Sequence, residues 1–489
     1  MSIPLAEPRL SRRQLLLGAA TAASGAALVA SGRGTAQAVG SLLSPLATSP
    51  APPFQSRPDL RIPPLHVVTP AADTVAPGLI LVAPYNAPAG SQAGAVIVDN
   101  AGNPLWEQPL AGLVTTDFRV QQYRGVPALT WWEGVVRLGH GIGGYVIADS
   151  SYAPIARVNA GNGYQGDLHE FLLTDRGTAL LTTYAVTTRD LRSVGGSQSG
   201  TIQDAIFQEV EIASGKVLLE WHSLDHIPLS ESYWPLSLDW DYVHLNSIAV
   251  DSDENLLVSS RNTHTIYKID RASGEIIWRL GGRTSDFRIA SSAGFAWQHD
   301  ARRQPDGTIT MFDNGYRVSR AIALDVDEAN RTVTLSRSYT HPSNLLALSQ
   351  GNVQVLPNGN VFVGWGAQPY VSEFTADGRL IFDAKLPTDY VSYRAFRWPW
   401  AATGAGAPAV ATHRARSPTD LYVSRNGDTR VTHWNAVAGT RPDNLAPIGR
   451  VARTGFETGL RIPSVFTRLR LHGTDQGGAT LASTDLLSL

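Results

Sequence analysis

The sequence predicts an all-β protein: a six-bladed β-propeller with a small C-terminal β-sandwich-like module. Three observations predict this. A compound strand–turn–strand unit recurs along the middle of the chain. Strand-like runs alternate with Asp-Gly and Asn-Gly turns, several ending in Gly-x-hydrophobic-x-Trp. The composition, with 45 Gly, 30 Pro, 12 Trp and 15 Tyr in 489 residues, suits many short strands joined by tight turns.

Residues 1–38 read as a twin-arginine signal peptide. Ser11-Arg12-Arg13-Gln14-Leu15-Leu16 is followed by a weakly apolar Leu/Ala/Gly run and a small-x-small cleavage site, Ala36-Gln37-Ala38. The apolar run is too short for a good membrane span, so no stable span is expected in the mature chain. The expected partner in export is the twin-arginine translocase, and the expected location is secreted or extracytoplasmic. The chain has no cysteine. A protein exported folded and without cysteine cannot rely on disulfides, and thiolate catalysis, iron–sulfur clusters and Cys-zinc sites are excluded. Residues 39–64, rich in Ser, Pro and Ala, read as a linker.

The propeller is expected over 65–403. Gly94–Leu110, Phe207–Trp221, His264–Leu280 and Tyr370–Leu386 each read as an alternating run, a Gly turn and a second run, the signal of a hairpin. A second unit, in His169–Tyr184, His244–Ser260, His299–Gly315 and Val353–Gly366, is a short strand, a turn and another strand. Joined, the units give a four-stranded meander of about 40–50 residues, the size of one blade. Four copies are clear, and two weaker ones lie near Gly78–Leu110 and Thr115–Arg157. After an Ala/Gly/Pro-rich break at 404–418, residues 418–489 read as the sandwich-like module.

A net charge of −2 with 17% charged residues gives no electrostatic case for nucleic acid or an anionic membrane surface. No phosphate-binding Gly-rich Lys loop and no Gly-x-Ser-x-Gly elbow is present, so nucleotide-dependent group transfer is unsupported and no cofactor is expected. In a propeller the first strand of each blade lines the central axis, so residues at one repeat position meet there. His169, His244 and His299 share that position, three of only 12 histidines. By strand alternation Asn246 points to the same side as His244, and Arg261 ends the neighbouring strand. Imidazoles with a guanidinium form a pocket for a sulfate- or phosphate-type anion, with a nucleophile or proton carrier in it. Arg302 reads as part of a solvated face. A His-based metal site is the competing chemistry: no carboxylate shares the repeat position, although Asp167, Asp241 and Asp300 lie close in sequence. Asp251-x-Asp253-x-Asn255 begins like a calcium loop but lacks the required Gly and Glu, and reads as a turn. Trp297, Trp240 and Trp234 are candidates to stack on an aromatic ring.

These residues carry a resemblance. The chain resembles the bacterial arylsulfotransferase (arylsulfate sulfotransferase) family, in particular its actinobacterial and fungal branch, from Phe54 to Leu386. The shared segments are FQSRPDL (Phe54–Leu60), DLHEF around His169, DWDYVHLNSI around His244, SSRN around Arg261 and WQHDARRQPDGTITMFDNG around His299. The resemblance implies a six-bladed propeller and a nucleotide-independent transfer of a sulfuryl group from a phenolic sulfate ester to a phenolic acceptor through a sulfohistidine. On it, His299 is the nucleophile; His244, Asn246 and Arg261 hold the sulfuryl oxygens; His169 is the acid/base partner. The chain departs from the enterobacterial members in lacking their N-terminal sandwich and disulfide. The alternative is a non-catalytic extracytoplasmic binding propeller.

Overall fold

The structure, a computed structural model, describes residues 42–48, 52–63, 65–86, 92–404, 406–413 and 418–489. The stretch read as a twin-arginine leader and cleavage site lies outside them. Among the described residues there is one four-residue α-helix, Ser223–His226, and otherwise strands, turns and short 3-10 segments. Among the described residues no helix is long and apolar enough to cross a membrane.

The described residues form eight sheets, paired antiparallel except for one short parallel edge, and none of these closes on itself. Four of them form from consecutive chain at the predicted units. The third sheet is Phe171–Leu173, Thr178–Arg189, Gly200–Glu211 and Val217–His222; the fourth is Leu245–Val250, Leu256–Ser260, Thr265–Ile269 and Ile276–Gly281. The fifth is His299–Arg303, Ile309–Asp313, Arg320–Asp327 and Thr332–Thr340, with Arg288–Ile289 added in parallel at its outer edge. The sixth is Asn352–Val355, Val361–Gly364, Tyr370–Phe374 and Leu380–Lys385, edged by His66–Thr69. The second, Val114–Tyr123, Val126–Arg137, His140–Ala148 and Pro154–Val158, is a full meander where the sequence signal is weak. The first sheet differs from a simple repeat. Leu79–Val82, Gly94–Val98 and Pro104–Pro109 are completed by Ala395–Trp398 from beyond the sixth sheet, paired to Leu79–Val82.

Period-two alternation explains the packing. A strand that sends successive side chains to opposite faces can bury both faces if a sheet lies on each. Leu256 and Val258 enter a buried cluster shared with the third sheet, whereas Leu257 enters one shared with the fifth. Ile80 and Val82 pack against the sixth sheet, and Leu81 against the second. Six such clusters join the sheets in the order one to six and back to one. The strands therefore read as almost unbroken apolar runs. The first strands of neighbouring sheets touch, Ala395–Trp398 against Val114–Tyr123 and Leu245–Val250 against His299–Arg303 among them.

The other two sheets are Ser44–Leu46, Glu457–Ile462, Thr419–Ser424 and Ala409–His413, and Ala446–Ala452, His433–Gly439, Arg468–Thr474 and Thr480–Ser483. They share one cluster built around Trp434, Leu421, Leu460 and Leu471. Part of the stretch read as a linker is thus ordered structure. Ser44–Leu46 is a strand, and Phe54 stacks on Phe456 with ring centroids 4.4 Å apart. The two sheets dock on the first and second: Tyr152 donates to the Gly427 carbonyl at 2.7 Å, and Asn426 exchanges hydrogen bonds with the Glu107 backbone.

Candidate active site

At one end of the first strands the chain enters the second, fourth, fifth and sixth sheets through left-handed residues. Asp117 (φ 52), His244 (φ 57), Trp297 (φ 58), Asp300 (φ 57) and Gln350 (φ 66) all stand there. Non-glycine residues in this region cost about 1–3 kcal/mol each and cluster where geometry serves function. Strand register slips at the same places, between Thr116 and Arg119, Leu245 and Ser247, and His299 and Arg302. Gly351, at φ 103, lets the backbone lie against the Phe312 ring, which an added Cβ would approach to 2.5 Å.

His169 and His244 face each other there, ring centroids 4.6 Å apart. Asp167 binds the His169 ring at Nδ1 and also takes the His169 backbone N–H at 3.1 Å. Asp241 Oδ2 lies 2.5 Å from His244 Nδ1. A carboxylate on Nδ1 fixes the proton there and leaves Nε2 as the lone-pair nitrogen. A fourth imidazole, His140, sits 5.3 Å from the His244 ring and 6.0 Å from that of His169, with Nε2 3.2 Å from Asp241 Oδ2. Tyr184 lies against His140 at 4.1 Å. Burial lowers the His244 pKa to about 4, with His169 and His140 adding to the effect against Asp241. Burial also opposes charge on His140, but Asp241 outweighs it and raises that pKa. Asp167 is held at about 2: burial favours its acid form, and the neighbouring His169 and His140 outweigh it.

His299 is 1% exposed. Its Nδ1 contacts the Asn314 side-chain oxygen at 2.7 Å and the Trp297 carbonyl at 3.0 Å, two acceptors that place the proton on Nδ1. Its Nε2 accepts the Gln350 backbone N–H at 3.1 Å. Burial drives its pKa well below the usual value, and Arg261, His244 and His169 push the same way. The ring is therefore neutral at physiological pH. Tyr393 links the histidines, with its ring 5.5 Å from His169 and 6.5 Å from His299.

The Arg261 guanidinium is held between Trp297, at 4.8 Å, and Trp234, at 5.3 Å. It donates to Asn262 and to the Leu348 carbonyl, while Nε has no partner. Burial lowers its pKa to about 10, which leaves it charged. Asn246 is buried and donates to the Gln298 carbonyl at 2.7 Å, with its side-chain oxygen free of partners. The slip in register beside it removes the alternation on which its pairing with His244 rests. Trp297 and Trp234 thus flank the site, whereas Trp240 belongs to the buried core between the third and fourth sheets.

One residue deeper, the chemistry changes. Glu170 meets Arg302, Arg119 at 2.6 Å and Arg394 at 3.3 Å; Asp117 meets Arg394 at 2.8 Å and Arg119 at 3.2 Å; Asp300 meets Arg302 at 2.9 Å and Arg394 at 3.5 Å. Burial favours the acid form of Glu170, but the three guanidinium groups outweigh it and hold the carboxylate ionised. Arg302 is therefore no solvated side chain. Its partner Glu170 is supplied by another sheet, so nothing beside Arg302 in the chain reveals it. At the far ends of the same strands lies a cavity of about 950 Å³, lined by Gln121, Leu173, Gln304, Gln354 and Trp398 among others. Its walls carry no histidine. The reactive groups stand at the opposite mouth, beyond the ion pairs.

The structure thus brings His169, His244, His299 and Arg261 to one mouth, with Asn246 bracing the strand behind it. Sequence reasoning missed His140, Asn314, Gln350 and Tyr393. It placed Asp167 and Asp241 near the histidines without assigning them a role; their spacing of two and three residues before His169 and His244 was the available signal.

Comparison with known proteins bears on this chain in three ways. No curated protein matches it. Among solved structures, a protein of unknown function from Bacteroides caccae is 12% identical, over 65% of this chain and 98% of its own, at a TM-score of 0.41. A Lactobacillus plantarum protein is 14% identical, over 78% and 98%, at 0.37; an inactive virginiamycin B lyase from Staphylococcus aureus is 10% identical, over 71% and 95%, at 0.31. The family model described as arylsulfotransferase (ASST) matches residues 119–386, a span that holds His140, His169, His244, Arg261 and His299. With more than half of its length matched, the chain belongs to the arylsulfotransferase family.

Proposed function

We propose that this protein is an exported, nucleotide-independent arylsulfotransferase that moves a sulfuryl group from a phenolic sulfate ester to a phenolic acceptor. The observation that carries the reading is the convergence of His169, His244 and His299 with the Trp-clamped Arg261 at one mouth. The six sheets joined in cyclic order are, in this reading, the blades of a six-bladed β-propeller, and the last two sheets a sandwich-like module. The leader Ser11–Leu16 directs export through the twin-arginine translocase.

The roles follow from the chemistry. His299 Nε2 attacks sulfur, the N–S bond forms, and the S–O bond to the phenol breaks. His169, having taken up a proton at Nε2, gives it to the departing phenolate, and the neutral ring then takes one from the incoming phenol as the sulfuryl group leaves His299. Arg261, His244 and Asn246 hold the sulfuryl oxygens, where charge develops. Sulfuryl transfer, like phosphoryl transfer, depends on in-line positioning and charge stabilisation, and a covalent histidine divides it into two easier steps. The neutral state of His299 supports its role as nucleophile. Its lone pair is engaged by the Gln350 N–H, so attack requires that this bond open. That observation favours a second reading, in which His169, its Nδ1 held by Asp167, carries the sulfuryl group instead.

The test is nitrophenolate release from 4-nitrophenyl sulfate with and without phenol, in wild type and His299→Ala, with mass spectrometry of the denatured enzyme after donor alone. Phenol-dependent release, lost by on the order of 10³-fold in the variant, with +80 Da (the mass of SO₃) on the peptide holding His299, is expected. The same mass on the peptide holding His169 selects the second reading. Silence of folded protein toward a panel of donors and acceptors leaves a non-catalytic binding propeller.

A further inference from the structure

We propose that His140, His169 and His244, backed by Asp167 and Asp241, form a binding site for a divalent first-row transition metal at the same mouth. Their rings lie within 6.0 Å of one another, centroid to centroid. Two sets of potential ligand atoms, from His140, Asp167 and His169 and from His140, Asp241 and His244, each fall within 4.8 Å, and His140 belongs to both.

Three further features point to a cation. The Asp167 and Asp241 carboxylates each hold the Nδ1 of a histidine, which leaves the Nε2 atoms of His169 and His244 for a ligand. This carboxylate–imidazole arrangement is the one that orients metal-binding histidines and raises their basicity. Second, His140 Nδ1 and Asp241 Oδ1 are buried with no hydrogen-bond partner. Such atoms cost about 1–3 kcal/mol each unless something satisfies them, and a bound cation would. Third, neither carboxylate has a guanidinium or ammonium group within ion-pair distance among the described residues, in contrast to the three acids one residue deeper. Asp167 is tied instead by the Gly141 N–H at 2.6 Å and the Thr182 hydroxyl at 3.1 Å, which fix it in place. Imidazole nitrogen with carboxylate oxygen, and no thiolate in the chain, suits zinc or its first-row neighbours.

The site shares His169 and His244 with the sulfuryl-transfer reading, whereas His299 and Arg261 lie outside it, and its occupancy is measured without turnover. The full chain, stripped with a chelator, is titrated with Zn²⁺ against a chromophoric competitor. Wild type and His299→Ala are expected to bind one Zn²⁺ per chain. His140→Ala and Asp241→Asn are expected to bind about 10–100-fold more weakly, with circular dichroism confirming their folding and His140→Gln replacing any variant that fails to fold. Absence of stoichiometric binding in wild type, or equal affinity in wild type and the folded His140 variant, overturns the proposal. Loss of sulfuryl transfer in His299→Ala with metal binding intact separates the two readings.

Discussion

His169 and Glu170 are neighbours in the chain and opposites in chemistry, and the same holds for His299 and Asp300. The first member of each pair faces the mouth, where His169 keeps one nitrogen free. The second is closed by guanidinium groups, three around Glu170 and two around Asp300. The contrast separates what can react from what holds. Unfilled valence at the mouth marks the groups able to meet a substrate or a metal. The interlocked acids and arginines, contributed by four different sheets, fix the first strands to one another at the depth where apolar packing stops. Strain follows the same division, because left-handed residues turn the chain at the boundary between the two layers.

Glu170→Gln is the strongest way to break this comparison. It leaves Arg302, Arg394 and Arg119 short of a buried negative charge, and removing one partner of such a set costs about 3–5 kcal/mol. Chemical denaturation should show that loss in the folded full chain. A change below about 1 kcal/mol would mean that the deeper layer does not hold the strands together. His244→Gln probes the other layer. Asp241 keeps His140 as a partner, so stability should move by less than about 1 kcal/mol, while transfer from 4-nitrophenyl sulfate falls by on the order of 10²-fold. A stability loss as large as that of Glu170→Gln would erase the distinction between the layers.

How much of this is legible in the sequence depends on the distance over which a residue finds its partner. Hairpins such as Thr265–Gly281 declare themselves, because the Gly turn and both strands lie within one short window. The strand Ala395–Trp398 of the first sheet does not: Ala395 pairs with Val82, far away in the chain, and nothing beside either reveals it. The three histidines at one repeat position were legible because repetition stands in for proximity. His140 was not, for it begins the third strand of its sheet, away from the repeat position that the other three share. Arg302 read as solvated because Glu170 and the Ile248 carbonyl lie 132 and 54 residues away, although a third partner, Asp300, stands two residues before it. The pairing of Asn246 with His244 rested on alternation, and a slip in register interrupts alternation at the very point where the chain enters the mouth.

Glu107 gives the smallest effect and the sharpest control, since it is a buried carboxylate outside both layers. It is 2% exposed and, among the described residues, has no ion pair; its one side-chain partner is the Ile62 N–H at 3.2 Å, and Oε1 has none. Burial accordingly lifts its pKa to about 8, against only weak opposition from that hydrogen bond and Arg57. Glu170, equally buried, is held ionised by its three arginines, so partners and not depth set the sign. The unfolded chain ionises this group near the ordinary carboxylate value, and the folded chain retains the proton until about 8. Between those values the folded state binds more protons than the unfolded one, so this residue's contribution falls as pH rises across the window and is fully lost above it. Glu107→Gln keeps the shape and removes the ionisation. Thermal unfolding should show a gain on the order of 1 kcal/mol above pH 8 and none near pH 4.5. A gain of equal size at both pH values would place the effect in packing, and no gain at either would mean that Glu107 ionises in the folded protein as freely as in the unfolded chain.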